Sequence, residues 1–101
     1  MTLRFTRRAR RHLEAIAEYI AEHDRAAARR VGERIREVTN LVGQFPLIGH
    51  AGVLAGTREM GVPGLPYLIV YRVDNDAVTV LGIYHGAQLR PGQERPRGDS
   101  P

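Results

Sequence analysis

The stretch from Leu65 to Arg90 constrains the fold more than any other part of the chain. Two runs, L-P-Y-L-I-V-Y-R-V and A-V-T-V-L-G-I-Y-H, flank the polar cluster Asp74-Asn75-Asp76. Val, Ile and Tyr pack well on a pleated surface, and two such runs about a short polar break predict a β-hairpin. The hairpin is expected to form the centre of the sheet. Its second strand ends in Tyr84-His85-Gly86-Ala87-Gln88, followed by Arg90, so a set of functional groups collects where strand gives way to loop.

The rest of the chain supplies layers for that sheet. Thr2 to Thr6 alternates polar and apolar residues and predicts a short strand with Leu3 and Phe5 inward. Thr6 is placed to cap a helix in which Ala9, Leu13, Ile16, Ala17 and Ile20 share one face, running to about His23. Asp24 is placed to cap a second helix, with Ala28, Val31, Ile35, Val38 and Val42 as its stripe and Leu41 widening it. Gly43 and Pro46 end that helix near Leu41 to Gln44. With almost no loop between them, the helices predict an antiparallel hairpin packed on the sheet.

From Gly43 to Gly56 the chain is rich in glycine yet carries Phe45, Leu47, Ile48, Val53 and Leu54. This composition predicts a loop that packs against the core. Its glycines do not make a phosphate loop, because the Gly-Lys-Ser/Thr ending and a preceding strand are missing. Thr57 to Val62 predicts a further strand, with Arg58, Met60 and Val62 on one face and Glu59 on the other. Pro63-Gly64-Leu65-Pro66 turns the chain into the opening hairpin. The fold class is therefore α+β: an N-terminal strand, then a helical hairpin packed on a twisted antiparallel sheet, in the order β-α-α-β-β-β. Residues 1–91 read as one domain and 92–101 as a disordered tail.

Charge narrows the choice of partners. The 101-residue chain carries fifteen basic residues, every one an arginine, against eleven acidic ones, for a net charge of +4. Such a surface favours an acidic partner, and guanidinium groups suit planar, bidentate recognition of carboxylate or phosphate. Arg7, Arg8, Arg10 and Arg11 crowd the start of the first helix, against its dipole, and form a candidate surface for an acidic protein segment. A solvated face, with pairs such as Arg10 and Glu14, is the competing reading. Cysteine is absent, which excludes disulfides and thiolate metal sites. The histidines show no metal-ligand spacing, so no metal and no cofactor is expected. No apolar run reaches the ~20 residues of a membrane span, and a cytoplasmic protein is expected.

Taken together, G-T-R-E-M-x-V (56–62), P-Y-L-I-V-Y-R-V (66–73) and V-x-V-L-G-I-Y-H-G-A-Q-x-x-P (78–91) resemble the RelE/ParE superfamily of toxins from type II toxin–antitoxin modules. The likeness is strongest to the ParE branch, also called plasmid-stabilisation proteins. It implies a cognate antitoxin as partner, a hetero-oligomeric complex, and growth arrest when the toxin is free. ParE-like members inhibit DNA gyrase; RelE-like members are ribosome-dependent endoribonucleases that cut mRNA. A degenerate member would keep antitoxin binding without toxicity.

RNA cleavage needs a proton acceptor, a proton donor and cations on the phosphorane. His85 is the candidate acid or base and Arg72 a candidate phosphate ligand, with Arg58 and Tyr84 beside them in sequence. However, in the strand that reads L-I-V-Y, Tyr67 and Leu68 stand where the nuclease branch commonly has a basic residue, and the preceding strand offers only Arg58. The reading therefore favours gyrase inhibition, with Arg58, Arg72, Tyr84, His85, Gln88 and Arg90 as target-binding candidates. Structural readings stand beside these: His85 as a hydrogen-bonding histidine, Tyr67 and Tyr71 as core or sheet-surface aromatics, and Arg72 in a cross-strand ion pair with Glu59.

Overall fold

A computed structural model describes residues 1–86. In chain order the elements are β1 (Thr2–Phe5), α1 (Arg7–Ala21), α2 (Arg25–Gln44), β2 (His50–Ala51), β3 (Arg58–Gly61), β4 (Tyr67–Val73) and β5 (Ala77–His85). Gln88, Arg90 and the tail 92–101 lie outside the described residues.

Both helices start at the expected caps. The Thr6 hydroxyl accepts from the Ala9 N–H at 3.1 Å, and an Asp24 carboxylate oxygen accepts from the Ala27 N–H at 2.9 Å. Each cap satisfies one of the orphan donors of a first turn. Helix α1 ends at Ala21, slightly before the expected His23, and α2 runs to Gln44.

The sheet has five strands in the order β1-β5-β4-β3-β2. Its centre is the β4–β5 hairpin, as the sequence implied. Strands β2 to β5 are antiparallel neighbours, but β1 lies parallel to β5, with Thr2 opposite Ala77 and Phe5 opposite Val80. The sheet is thus mixed, because the long connection from β1 to β5, with both helices in it, is free of the hairpin rule that enforces antiparallel pairing. The two-residue β2 was not legible beforehand; it forms because His50 and Ala51 come opposite Glu59 and Arg58.

The turn before β4 follows its sequence closely. Leu65 N–H donates to Val62 O at 3.1 Å around Pro63 and Gly64, whose φ of +78° only glycine adopts readily. Within the hairpin the register shifts at Val70/Tyr71: Val70 faces Gly82, whereas Tyr71 faces Val80. Leu81 is the extra residue of a β-bulge, so Val78, Val80 and Ile83 all point to the helices despite odd spacing.

The core forms where the central hairpin meets α2. Ile35, Val38 and Val42 of α2 pack with Ile69 and Tyr71 of β4, Val78, Val80 and Ile83 of β5, and Ala9 of α1. Each of these Val and Ile side chains contributes about 1.5–3 kcal/mol when removed from water. Helix α1 is less covered: Leu13, Ile16 and Ile20 are half-buried, and Ala17 is exposed. Leu41, expected in the stripe of α2, instead faces solvent.

The loop after α2 also differs from expectation. Phe45, Leu47, Ile48, Val53 and Leu54 are all exposed, so the loop does not pack by its apolar side chains. It is held by polar anchors. The buried Tyr71 hydroxyl donates to Pro46 O at 2.7 Å and accepts from Gly49 N–H at 3.0 Å, and Arg58 Nη2 donates to Leu47 O and Gly49 O.

Candidate functional site

Alternation along β4 and β5 decides which candidate residues can meet. Tyr67, Ile69, Tyr71 and Val73 face the helices, as do Val78, Val80, Ile83 and His85. Leu68, Val70, Arg72, Thr79 and Tyr84 face the other way. Adjacent on β5, His85 and Tyr84 therefore serve opposite sides of the sheet.

On the helix side, His85 lies edge-on to Tyr67, with ring centroids 5.7 Å apart and planes at 88°. Ala15, Ile16 and the exposed Tyr19 of α1 complete an open groove around this pair. On the outer side, Tyr84 lies over Gly82 and edge-on to His12 of α1, with centroids 5.0 Å apart. A Cβ on Gly82 would fall 2.6 Å from the Tyr84 ring, so glycine permits this placement.

The two arginines of the central strands separate in the same way. Arg58 pairs with Tyr71 on the helix side, and its guanidinium is committed to the loop carbonyls of Leu47 and Gly49. Arg72 faces outward, and its Nε lies 3.3 Å from an Asp74 carboxylate oxygen. Thr79 stands between Arg72 and Arg4, the residues opposite it on β4 and β1. The expected Arg72–Glu59 pair is absent because the register sets Glu59 opposite Val70. Glu59 is buried on β3, where it meets His50 at 3.4 Å and accepts from the Val53 N–H.

Arg72 and His85 do not converge. Arg72 is five residues along β4 from Tyr67, the partner of His85, which is about 16 Å of strand at ~3.3 Å per residue, and it faces the opposite side. Tyr84 shares a face with Arg72 but is paired with Leu68, about 13 Å from Arg72 on the same rise. No single phosphodiester can touch both His85 and Arg72 in this arrangement. Among the described residues, no three His, Asp or Glu side chains are placed to hold a metal ion.

The arginines of α1 divide between two surfaces. Arg7, Arg8 and Arg11 line a groove with Leu54 and Leu81, whereas Arg10 lines another with Phe5, Leu13 and Arg36. Among the described residues none of the four has a carboxylate within 4.0 Å, so the expected Arg10–Glu14 pair is not formed. Four cations with no carboxylate partner among the described residues thus sit on the positive end of the helix dipole, an arrangement that an anionic partner would relieve.

His12 was absent from the sequence-derived site, yet it is the group that ties α1 to the end of β5. Strand β1 covers β5 only as far as Val80. Beyond it the Thr6 hydroxyl donates to Leu81 O at 3.1 Å, and the Ile83 N–H donates to His12 Nδ1 at 3.1 Å. The available signal was position, since His12 follows Ala9 by three residues and precedes Leu13 on the apolar stripe. Burial first, and then Arg8 and Arg11, lower its pKa below the ordinary histidine value.

The fold is shared with a solved structure of the chromosomal ParDE TA system from P. aeruginosa, with a TM-score of 0.76 over 84% of this chain and 95% of that one, at 23% identity. Residues 3–90 match the family described as the ParE toxin of the type II toxin–antitoxin system parDE. Y4kP of Sinorhizobium fredii is 37% identical over 89 residues, covering 88% of this chain and 92% of its own. Toxin RelE2 of Caulobacter vibrioides is 31% identical over 85 residues, covering 84% and 94%. The chain belongs to the ParE toxin family of type II toxin–antitoxin systems. An antitoxin is the partner that this family implies. No helix among the described residues is long and apolar enough to cross a membrane.

Proposed function

We propose that this toxin inhibits DNA gyrase in the cytoplasm and is neutralised by a cognate antitoxin in a hetero-oligomeric complex. The observation that carries this reading is the separation of Arg72 from His85 on opposite faces of the sheet. General acid–base cleavage of RNA needs proton-transfer groups and cations around one phosphate. Binding to a protein target needs only a surface, and outward-facing Arg72 and Tyr84, with Arg4 beside them, offer one. The arginine cluster of α1 favours an acidic antitoxin segment, through charge complementarity that speeds encounter and fixes orientation.

A ribosome-dependent endoribonuclease is the second reading, favoured by the RelE name of one relative and by the Tyr67–His85 pair in an open groove. Induced expression distinguishes the two in cells. Under the gyrase reading, growth arrest is accompanied by loss of negative supercoiling in a reporter plasmid and is reversed by the antitoxin. Growth arrest with unchanged plasmid topology would overturn it.

A further inference from the structure

We propose that His12 is a pH-sensitive positioning residue, whose neutral ring holds the end of β5, and with it Tyr84 and His85, against α1. The inference deepens the reading of that strand end as part of a target-binding surface.

The geometry fixes the protonation state. The Ile83 main-chain N–H can only donate, so the Nδ1 it meets at 3.1 Å must carry a lone pair, with the ring proton on Nε2. Protonating Nδ1 turns the contact into two donors facing each other. It also strands a main-chain N–H that β1, ending at Phe5, does not cover. The same ring supports Tyr84 edge-on, so loss of the contact frees the side chain that covers Gly82.

The surroundings oppose the charged ring. Arg8 and Arg11 flank His12 on its own helix, and from β5 it faces the Tyr84 ring. Among the described residues no carboxylate lies within 4.0 Å to favour the imidazolium. His85, the nearest other titratable group on β5, is turned to the opposite face beside Tyr67. The Thr6 hydroxyl on Leu81 O is unaffected by protonation, so release begins beyond Leu81. The latch is therefore closed near neutrality and opens in acid.

Amide exchange and histidine ring shifts followed by NMR on the full chain, from about pH 8 to about pH 5, span the ordinary histidine value of ~6.5 and test this directly. After correction for intrinsic exchange, Ile83 protection is expected to fall about tenfold as His12 titrates, the loss of roughly one hydrogen bond, while Val78 stays protected. His12→Asn, whose carbonyl oxygen accepts at the Nδ1 position without titrating, is expected to keep Ile83 protected throughout. His12→Ala is expected to lose protection at every pH. Unchanged Ile83 protection while His12 titrates would overturn the proposal, as would parallel loss at Val78 or a His12 that does not titrate in this range. The readout involves no target, so its failure is distinguishable from failure of the gyrase reading.

Discussion

The hydroxyl of Tyr71 and the carbonyl of Pro46 are joined by a 2.7 Å hydrogen bond that ties the central strand to the loop after α2. The same hydroxyl accepts from Gly49, so one buried oxygen fixes both ends of the 46–49 turn. Tyr71→Phe removes both hydrogen bonds at once and leaves the buried Gly49 N–H and the half-buried Pro46 carbonyl without that partner. It is expected to destabilise the protein by about 1–3 kcal/mol, read as a lower urea midpoint at unchanged m-value.

Gly49→Ala tests the same junction from the loop side. An added Cβ would stand 2.6 Å from Glu59 O and 2.6 Å from the Tyr71 hydroxyl. Main-chain oxygen cannot swing aside, so the loop must shift, at an expected cost of about 1–3 kcal/mol in the same titration.

Arg58 and Arg72, neighbours in any sequence-based site, are expected to behave differently on truncation. Arg58→Ala removes the donors to Leu47 O and Gly49 O, so both stability and activity should fall, by about 1–3 kcal/mol in stability. Arg72 is half-exposed and, among the described residues, its guanidinium meets only Asp74, so Arg72→Ala should stay within about 0.5 kcal/mol of the parent in stability. Any loss of toxicity in that variant then reports on target binding.

Stability should also depend on pH through His12. Its pKa is lowered in the folded chain, while the unfolded chain keeps the ordinary value of ~6.5. Between the two values the unfolded state binds more protons, so the contribution is fully present above about pH 6.5 and is lost as pH falls toward the folded value. Urea midpoints at pH 7.5 and 5.5, both about one unit from ~6.5, should show a decrease in acid that is smaller in His12→Asn.

Local signals made most of the fold legible. Thr6 and Asp24 announced their helices because capping is a matter of a few adjacent residues. The 65–85 hairpin announced itself by composition and a polar break. What escaped the sequence depended on register between distant segments. The parallel β1–β5 pairing, the bulge at Leu81 and the Glu59–His50 contact are set by which residues come opposite each other, and no local pattern encodes that. The candidate site suffered most. Arg58, Arg72, Tyr84 and His85 are close in the sheet's sequence order, but strand alternation sends them to two faces, and one carbonyl-rich loop claims Arg58. His12 was hidden because its partner is a main-chain N–H seventy-one residues away.

The separation of Arg72 from His85 on opposite faces of the sheet is the ground on which gyrase inhibition is proposed in preference to RNA cleavage. The most direct test sets the purified protein against gyrase supercoiling and, in parallel, against mRNA in a translating extract. Inhibited supercoiling with accumulation of cleaved DNA, and intact mRNA, is the expected result. Cleavage of mRNA that is abolished by His85→Ala, with gyrase unaffected at large toxin excess, would overturn gyrase inhibition in favour of RNA cleavage.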